Sequence, residues 1–188
     1  MLFRFLSAAL FALLIPAAAA SADEYQDTIK VFKEAGESAG FFKSSYGYAV
    51  FPTIGKAGLG IGAAHGKGRV YEKGKHIGDT SMTQGTIGFQ AGAQAFSQII
   101  FFQDARALKE FTGGNFEFSA EAQAVAITAA AGAQASTTGS SAGASGGRHD
   151  ATTVGKYQKG MATFTVAKGG LMYQATIGGQ KFSYAPVK

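Results

Sequence analysis

The feature that most constrains the fold is a glycine-studded stretch, GYAVFPTIGKAGLGIGAAHGKGRVY, from Gly47 to Tyr71. A second stretch of the same character, TSMTQGTIGFQAGAQAFSQIIFF, runs from Thr80 to Phe102. Small, aromatic and β-branched residues alternate in both, and a period of two is typical of β-strands. Glycines inside strands indicate a backbone that bends sharply or approaches another element closely. The sequence therefore predicts a curved sheet.

The N-terminus has the pattern of an export signal. Arg4 precedes an apolar run from Leu6 to Ile15, and Ala20-Ser21-Ala22 supplies the small residues of a cleavage site. The apolar run is shorter than the ~20 residues that a membrane-spanning helix needs. We therefore predict a signal peptide over residues 1–22, and a mature domain over residues 23–188 that is periplasmic, envelope-associated or secreted.

Composition excludes cysteine chemistry and leaves two interpretations of the positive charge open. The sequence has no cysteine, which excludes disulfides, thiolate metal sites and thiol nucleophiles. One of its 17 basic residues, Arg4, leaves with the predicted signal, so 16 basic residues remain against 12 acidic ones. This excess suits anionic surfaces such as phospholipid headgroups, and it serves solubility equally well. Export argues against a nucleic-acid partner.

Two segments have helical periodicity. From Glu24 to Ser38, four residues recur on one face: Tyr25, Ile29, Phe32 and Gly36. Asp23 is the expected N-cap. This face either packs on the domain core, which we favour, or lies in a membrane interface. A shorter helix is predicted from Gln103 to Thr112, with Asp104 as its cap and Leu108 and Phe111 on its apolar edge.

The remaining pattern predicts about seven to nine mostly antiparallel strands. Their expected positions are Tyr48–Phe51 ending at Pro52, Gly58–Ala63, Arg69–Tyr71, Thr86–Phe101 as one long strand or two around a bend, Phe116–Ala126, Met161–Val166, Leu171–Ile177 and Gln180–Tyr184. Expected turns are Lys73-Gly74-Lys75, Lys168-Gly169-Gly170 and Gly178-Gly179. The glycine and glutamine face of Thr86–Phe101 is either solvated or pressed on another layer. The stretch Ser136–Thr153 is too poor in large apolar residues to pack and is expected to be a mobile loop.

These elements predict an α+β single domain with a curled or barrel-like, mostly antiparallel sheet. No pattern in the sequence indicates catalysis or a cofactor. The three histidines, His65, His76 and His149, do not stand at metal-ligand spacings. We therefore predict a protein that is not an enzyme and that has no catalytic residue, metal or cofactor.

Four segments resemble the SYLF family, whose members are lipid-binding domains of exported bacterial proteins and of eukaryotic proteins in membrane and actin traffic. They are GYAVFPTIGK (Gly47–Lys56), TQGTIGFQAGAQA (Thr83–Ala95), GNFEF (Gly114–Phe118) and AKGGLM (Ala167–Met172). The resemblance extends from about Phe41 to Tyr184. It implies phospholipid binding, with phosphoinositides favoured in eukaryotic relatives and actin bound by some fungal ones. For an exported protein, anionic envelope phospholipids are the expected ligand.

The resemblance also implies a site, because an amphipathic N-terminal segment and nearby basic residues are implicated in relatives. The expected headgroup contacts are Lys30, Lys33 and Lys43, and the expected apolar insertions are Phe32, Phe41 and Phe42. Lys73 and Lys75 are a second candidate set. Glu34 and Glu37 balance the charge of the helix. Two alternatives remain: a module that binds another envelope protein, or an enzyme whose pocket joins His65 or His76 to a carboxylate.

Overall fold

The computed structural model describes residues 22–59, 61–87, 92–120, 122–127, 156–168 and 177–188. The helices within these ranges are α1 (Ala22–Glu34), α2 (Gly36–Ala39), α3 (Phe41–Ser44) and α4 (Ala105–Phe111). The strands are β1 (Gly47–Leu59), β2 (Ile61–Glu72), β3 (Lys75–Ile87), β4 (Gly92–Phe102), β5 (Phe116–Glu117), β6 (Val125–Ile127), β7 (Met161–Lys168) and β8 (Lys181–Pro186).

The strands form one mixed sheet in the order β5-β8-β3-β2-β1-β4-β7-β6. Every neighbouring pair is antiparallel except β6 and β7, which are parallel. The sheet curls into a half-barrel, and the predicted α+β single domain with a curled, mostly antiparallel sheet is confirmed.

A buried pair of glutamines shows how far the sheet curls. Gln98 on β4 and Gln180, just before β8, exchange two side-chain hydrogen bonds of 2.8 and 3.1 Å. Three strands separate β4 from β8 in the sheet order, so the two sides meet only across the concave face. Gln98 was expected on a face either solvated or pressed on another layer, and its burial shows the second alternative.

Apolar side chains cover both faces of the sheet at its centre. The concave face packs against α4, and its buried residues include Phe51, Ile54, Met82, Phe96, Ile100, Phe102, Phe111 and Phe182. The convex face packs against α1, and its buried residues include Tyr25, Ile29, Phe32, Val50, Ile99, Phe101, Phe164 and Val166. Because both faces are covered, β7 is buried at six consecutive positions, Met161–Val166.

The first hairpin differs from its prediction. Pro52 does not end the strand, because the register between β1 and β2 shifts between Val50 and Thr53, and a bulge accommodates the missing N–H. Gly58–Ala63 is not a separate strand. Gly58 pairs with Gly62, so this segment is the tip of the β1–β2 hairpin. A Cβ at Gly58 would lie 2.3 Å from the Gly62 Cα, which only glycine avoids.

The N-terminal helix packs on the sheet, which is the alternative that the sequence favoured over a membrane interface. Tyr25, Ile29 and Phe32 are buried, whereas Gly36 is exposed. The predicted single helix is interrupted, because Ala35 is extended (φ −77°, ψ 125°) between α1 and α2. Asp23 is not an N-cap, since the helix already includes Ala22.

The structure confirms several other predicted elements. Asp104 caps α4, where its Oδ1 accepts a hydrogen bond from the Ala107 N–H at 2.8 Å. Turns occur at Lys73-Gly74 and at Gly178-Gly179, and β7 and β8 lie where strands were expected.

The predicted strand Phe116–Ala126 is wrong. The chain makes only the short strands β5 and β6 there, because it crosses from one edge of the sheet to the other. The signal peptide apart from Ala22, the loop Ser136–Thr153, most of the turn Lys168-Gly169-Gly170 and most of the strand Leu171–Ile177 lie outside the described residues.

Candidate functional site

The three phenylalanines expected to enter a membrane are part of the convex core. Phe32 is 0% exposed, so it cannot touch a bilayer while α1 stays on the sheet, and its expected insertion does not fit this structure. Phe41 and Phe42 are half-buried, with ring centroids 5.4 and 4.9 Å from that of Phe101. Phe41 also meets the Phe164 ring edge to face. These contacts fasten α3 to the sheet rather than project the rings outward.

The predicted lysines are exposed and gather at the end of the sheet where β1 begins. Lys33 Nζ lies 5.5 Å from the centroid of the Phe42 ring, and Lys73 Nζ lies 5.0 Å from that of Tyr46. Because Tyr46 follows α3 and accepts a backbone hydrogen bond from Lys73, the two predicted lysine groups meet at one end of the sheet.

Acidic residues offset part of the positive charge at that end. Lys30 Nζ lies 3.9 Å from the Glu34 Oε1, and Glu37 is exposed one turn further along. The Tyr46 hydroxyl donates a hydrogen bond to Glu72, which is the main reason that its pKa is raised. Salt bridges this exposed contribute little energy, and the three glutamates offset only part of the charge of the five predicted lysines.

The two histidines in the described part of the chain form no catalytic arrangement there. His65 lies on β2 and His76 lies on β3. His76 Nε2 lies 3.0 Å from the Asp79 Oδ1, but the Asp79 side chain is 65% exposed and the pair faces no deep pocket. Within the described ranges, no group of three or more His, Cys, Asp or Glu residues could hold a metal ion. In the same part of the chain, no helix is long and apolar enough to cross a membrane.

The tyrosines Tyr48 and Tyr25, whose pKa is raised, are packing residues. Burial raises the pKa of Tyr48 to about 12, with the neighbouring Tyr71 as a second cause. Burial also raises the pKa of Tyr25, against the opposing effect of the Arg69 guanidinium, whose Cζ lies 4.3 Å from the ring centroid. Hydroxyls that stay protonated at neutral pH do not act as bases there.

At the opposite end of the sheet, four strands extend past the buried residues of the described part of the chain. We call this end the tongue: the parts of β1 to β4 that extend past their last residues described as buried, Ile54, Ala64, Gln84 and Phe96. Five residues of β1 follow Ile54, so at ~3.3 Å per residue the tongue projects roughly 15 Å. At its tip Ile61 is 76% exposed, the largest exposure among the described large apolar side chains.

The tongue carries lysine but no acidic residue. The sequence from residue 51 to 71 contains no aspartate or glutamate, and neither does residue 80 to 103. Lys56 lies on the tongue and Lys67 just below it, and neither forms an ion pair with any described residue. At the base, Lys168 Nζ donates to Thr53 Oγ1 at 2.7 Å and lies 3.6 Å from Glu24.

A cavity of about 500 Å³ occupies the place where the half-barrel fails to close. β5 and β6 follow one another in sequence yet form the two edges of the sheet, so the residues between them cross the gap. The Phe118 N–H donates to the Gln180 carbonyl (3.0 Å), and the Ile177 N–H donates to the Ala122 carbonyl (3.3 Å). We call this gap the seam.

Comparison with known proteins identifies the family. Residues 83–184, just over half of the chain, match the family described as "Ysc84: Las17-binding protein actin regulator". The chain belongs to this family. It is the SYLF family that the sequence motifs resemble, so that prediction is confirmed. The family is not known for enzymes, and membership points to a lipid-binding or related role.

One curated relative is a protein of Aeromonas veronii named "Beta cell expansion factor A". The chain is 28% identical to it over 158 residues, which are 82% of this chain and 51% of the relative. The chain therefore spans about half the length of this relative.

The tongue and the seam were both missed from the sequence. The tongue had a usable signal, because a hairpin free of acidic residues can be read directly between Pro52 and Tyr71. The seam had none, since its walls come from segments about 40 residues apart that meet only after the sheet curls.

Proposed function

We propose that the mature protein, residues 23–188, is a non-enzymatic binder of anionic phospholipid surfaces in the cell envelope. The observation that carries this proposal is the tongue, which combines an exposed apolar tip with Lys56, has Lys67 just below it, and lacks acidic residues. An apolar side chain gains free energy on leaving water, and each lysine near an anionic surface contributes ~1 kcal/mol. Family membership supports the same role.

The tongue suits a membrane interface for a structural reason. Strands β1 to β4 pair with one another along most of its length, so the backbone groups between them already have hydrogen-bond partners. Ile61 would enter the boundary between headgroups and acyl chains. Lys56 and Lys67, set back from the tip, would then lie at the depth of the phosphates.

The lysines Lys30, Lys33 and Lys43 remain a second proposed contact, at the other end of the sheet. Glutamates stand among these lysines, whereas the tongue has none, so we expect their attraction to an anionic surface to be weaker than that of the tongue. Insertion of Phe41 or Phe42 would require α3 to leave its aromatic contacts with Phe101.

Flotation with liposomes tests the function. The mature protein is mixed with vesicles of phosphatidylcholine containing graded amounts of phosphatidylglycerol, at low and high salt. We expect binding that rises with anionic lipid and falls with salt. Absence from the floating fraction at every composition would overturn the proposal. That result, together with lipid-independent capture of one envelope protein, would favour a protein–protein interaction module.

Two matched charge-reversal variants compare the contact surfaces. The tongue variant carries Lys56→Glu and Lys67→Glu, and the N-terminal variant carries Lys30→Glu and Lys33→Glu. Each changes the net charge by the same amount, so a nonspecific charge effect would weaken both equally. We expect a loss of at least tenfold in vesicle affinity for the tongue variant and a smaller loss for the other. A larger loss for the N-terminal variant would instead support the contact predicted from the sequence.

A further inference from the structure

The seam cavity is built like a binding site for an elongated apolar group. Its inner wall is apolar and comes from separate parts of the fold: Phe116, Phe118, Val125, Met161, Phe164 and Ile177. Its volume of about 500 Å³ lies within the ~300–1,000 Å³ typical of small-molecule sites, which occur in the mouths of β-barrels. Thr163 on β7 adds a hydroxyl to this wall.

The acidic residues that line the cavity form ion pairs, whereas the lysines that line it do not form any with the described residues. Two acidic residues line it, and both have basic partners outside it: Glu110 Oε2 lies 3.1 Å from Arg106 Nη1, and Glu117 Oε2 lies 3.8 Å from Lys181 Nζ. The two lysines that line it, Lys156 and Lys159, form no ion pair with any residue in the described ranges.

The cavity therefore offers an apolar wall with an excess of positive charge. A neutral apolar ligand would leave the lysines without a counter-charge, and a small anion would leave the apolar wall in water. A molecule with one hydrocarbon chain and an anionic head matches both features.

We propose that the seam binds a single-chain anionic amphiphile, such as a fatty acid or a monoacyl phospholipid. The chain lies along the partly exposed Phe116, Phe118 and Val125, and the anionic head lies between Lys156 and Lys159. This site takes one molecule from solution, whereas the tongue contacts a bilayer with its tip. The inference thus goes beyond the membrane contact and does not depend on it.

The experiment is a fluorescence titration of the full mature protein with cis-parinaric acid, a fluorescent fatty acid, below its critical micelle concentration. We expect saturable binding of one molecule per protein. Ala122→Trp places a large ring in the cavity from the chain that crosses the seam, and should weaken binding at least tenfold. If circular dichroism shows that Ala122→Trp does not fold, Ser119→Trp replaces it, because Ser119 is an exposed residue that lines the cavity.

The lysines are tested by charge removal. Lys156→Gln with Lys159→Gln should weaken binding of the acid several-fold but leave binding of its uncharged methyl ester unchanged. Lys109→Gln, on the exposed side of α4 and outside the cavity, is the matched control and should change neither.

Three results would overturn the inference: no saturable binding, a tryptophan variant that folds and binds as the wild type does, or equal effects of the lysine variants on acid and ester. Uptake of the probe only when it is esterified in vesicle phospholipid would also overturn it, because the source would then be the bilayer. Failure of vesicle flotation would leave this titration unaffected, so the two proposals fail separately.

Discussion

Gly68 lies on the concave face of β2, against the side chains of Phe51 and Thr80. A Cβ at this position would lie 2.6 Å from two ring carbons of Phe51 and 2.9 Å from the Thr80 Cγ2. At Gly55, also in a strand, an added Cβ would meet nothing within 4 Å. We expect Gly68→Ala to lower the free energy of unfolding by ~1–3 kcal/mol through overpacking. We expect Gly55→Ala to change it by less than about 0.5 kcal/mol. Urea denaturation measures both, and equal effects would contradict close packing at Gly68.

Tyr48 should make stability fall at alkaline pH. Burial raises its folded pKa to about 12, above the ordinary value of 10.0. Between these values the folded state holds a proton that the unfolded state has lost, so the stabilisation is complete below pH 10 and is lost as pH rises towards 12. Tyr48→Phe cannot ionise and should show a shallower fall in melting temperature above pH 10. Tyr184→Phe, at a less buried tyrosine, is the control. Parallel curves of melting temperature against pH for the wild type and Tyr48→Phe would contradict the raised pKa of Tyr48.

At the scale of elements, α1 shows the difference between a packed and a membrane-inserting face. Phe32 is 0% exposed, whereas Val31 beside it is 46% exposed. We expect Phe32→Ala to lower the free energy of unfolding by ~3–5 kcal/mol, because it leaves a cavity in the convex core. Val31→Ala should change it by less than about 0.5 kcal/mol. Chemical denaturation without lipid tests both, and a neutral Phe32→Ala would mean that α1 is only loosely docked.

The elements that could be predicted from sequence are those governed by local rules. α4 follows from its period and from the Asp104 cap, and β7 and β8 follow from runs bounded by turns. The prediction that the first strand ends at Pro52 was wrong because a bulge against β2 accommodates the proline. The sequence of a single strand does not show a bulge in its pairing. The segment from Phe116 to Ala126 alternates like a strand, but it has to cross the seam. The exposure of the predicted lysines was foreseeable, whereas the burial of Phe32 depends on where α1 docks.

At the scale of the whole molecule, the sheet has two ends of different character. β1 has 13 residues, so at ~3.3 Å per residue its ends lie ~40 Å apart. One end carries the mixture of lysines and glutamates around α3, and the other is the acid-free tongue. This separation exceeds the depth of a headgroup layer, so a planar bilayer can insert one end only. The asymmetry of charge and exposure predicts that the tongue is that end.

Because the sequence has no cysteine, one introduced thiol can carry a polarity-sensitive dye at a chosen site. Ile61→Cys labels the tongue, and Lys43→Cys labels the opposite end at another exposed position. On anionic vesicles we expect a blue shift and protection from an aqueous quencher at position 61, with neither change at position 43, because only the tongue leaves water. High salt should weaken vesicle binding and reverse the shift, since lysines contribute to the attraction. A shift at position 43 alone would place the membrane on the α3 side, and shifts at both positions would require the protein to lie flat.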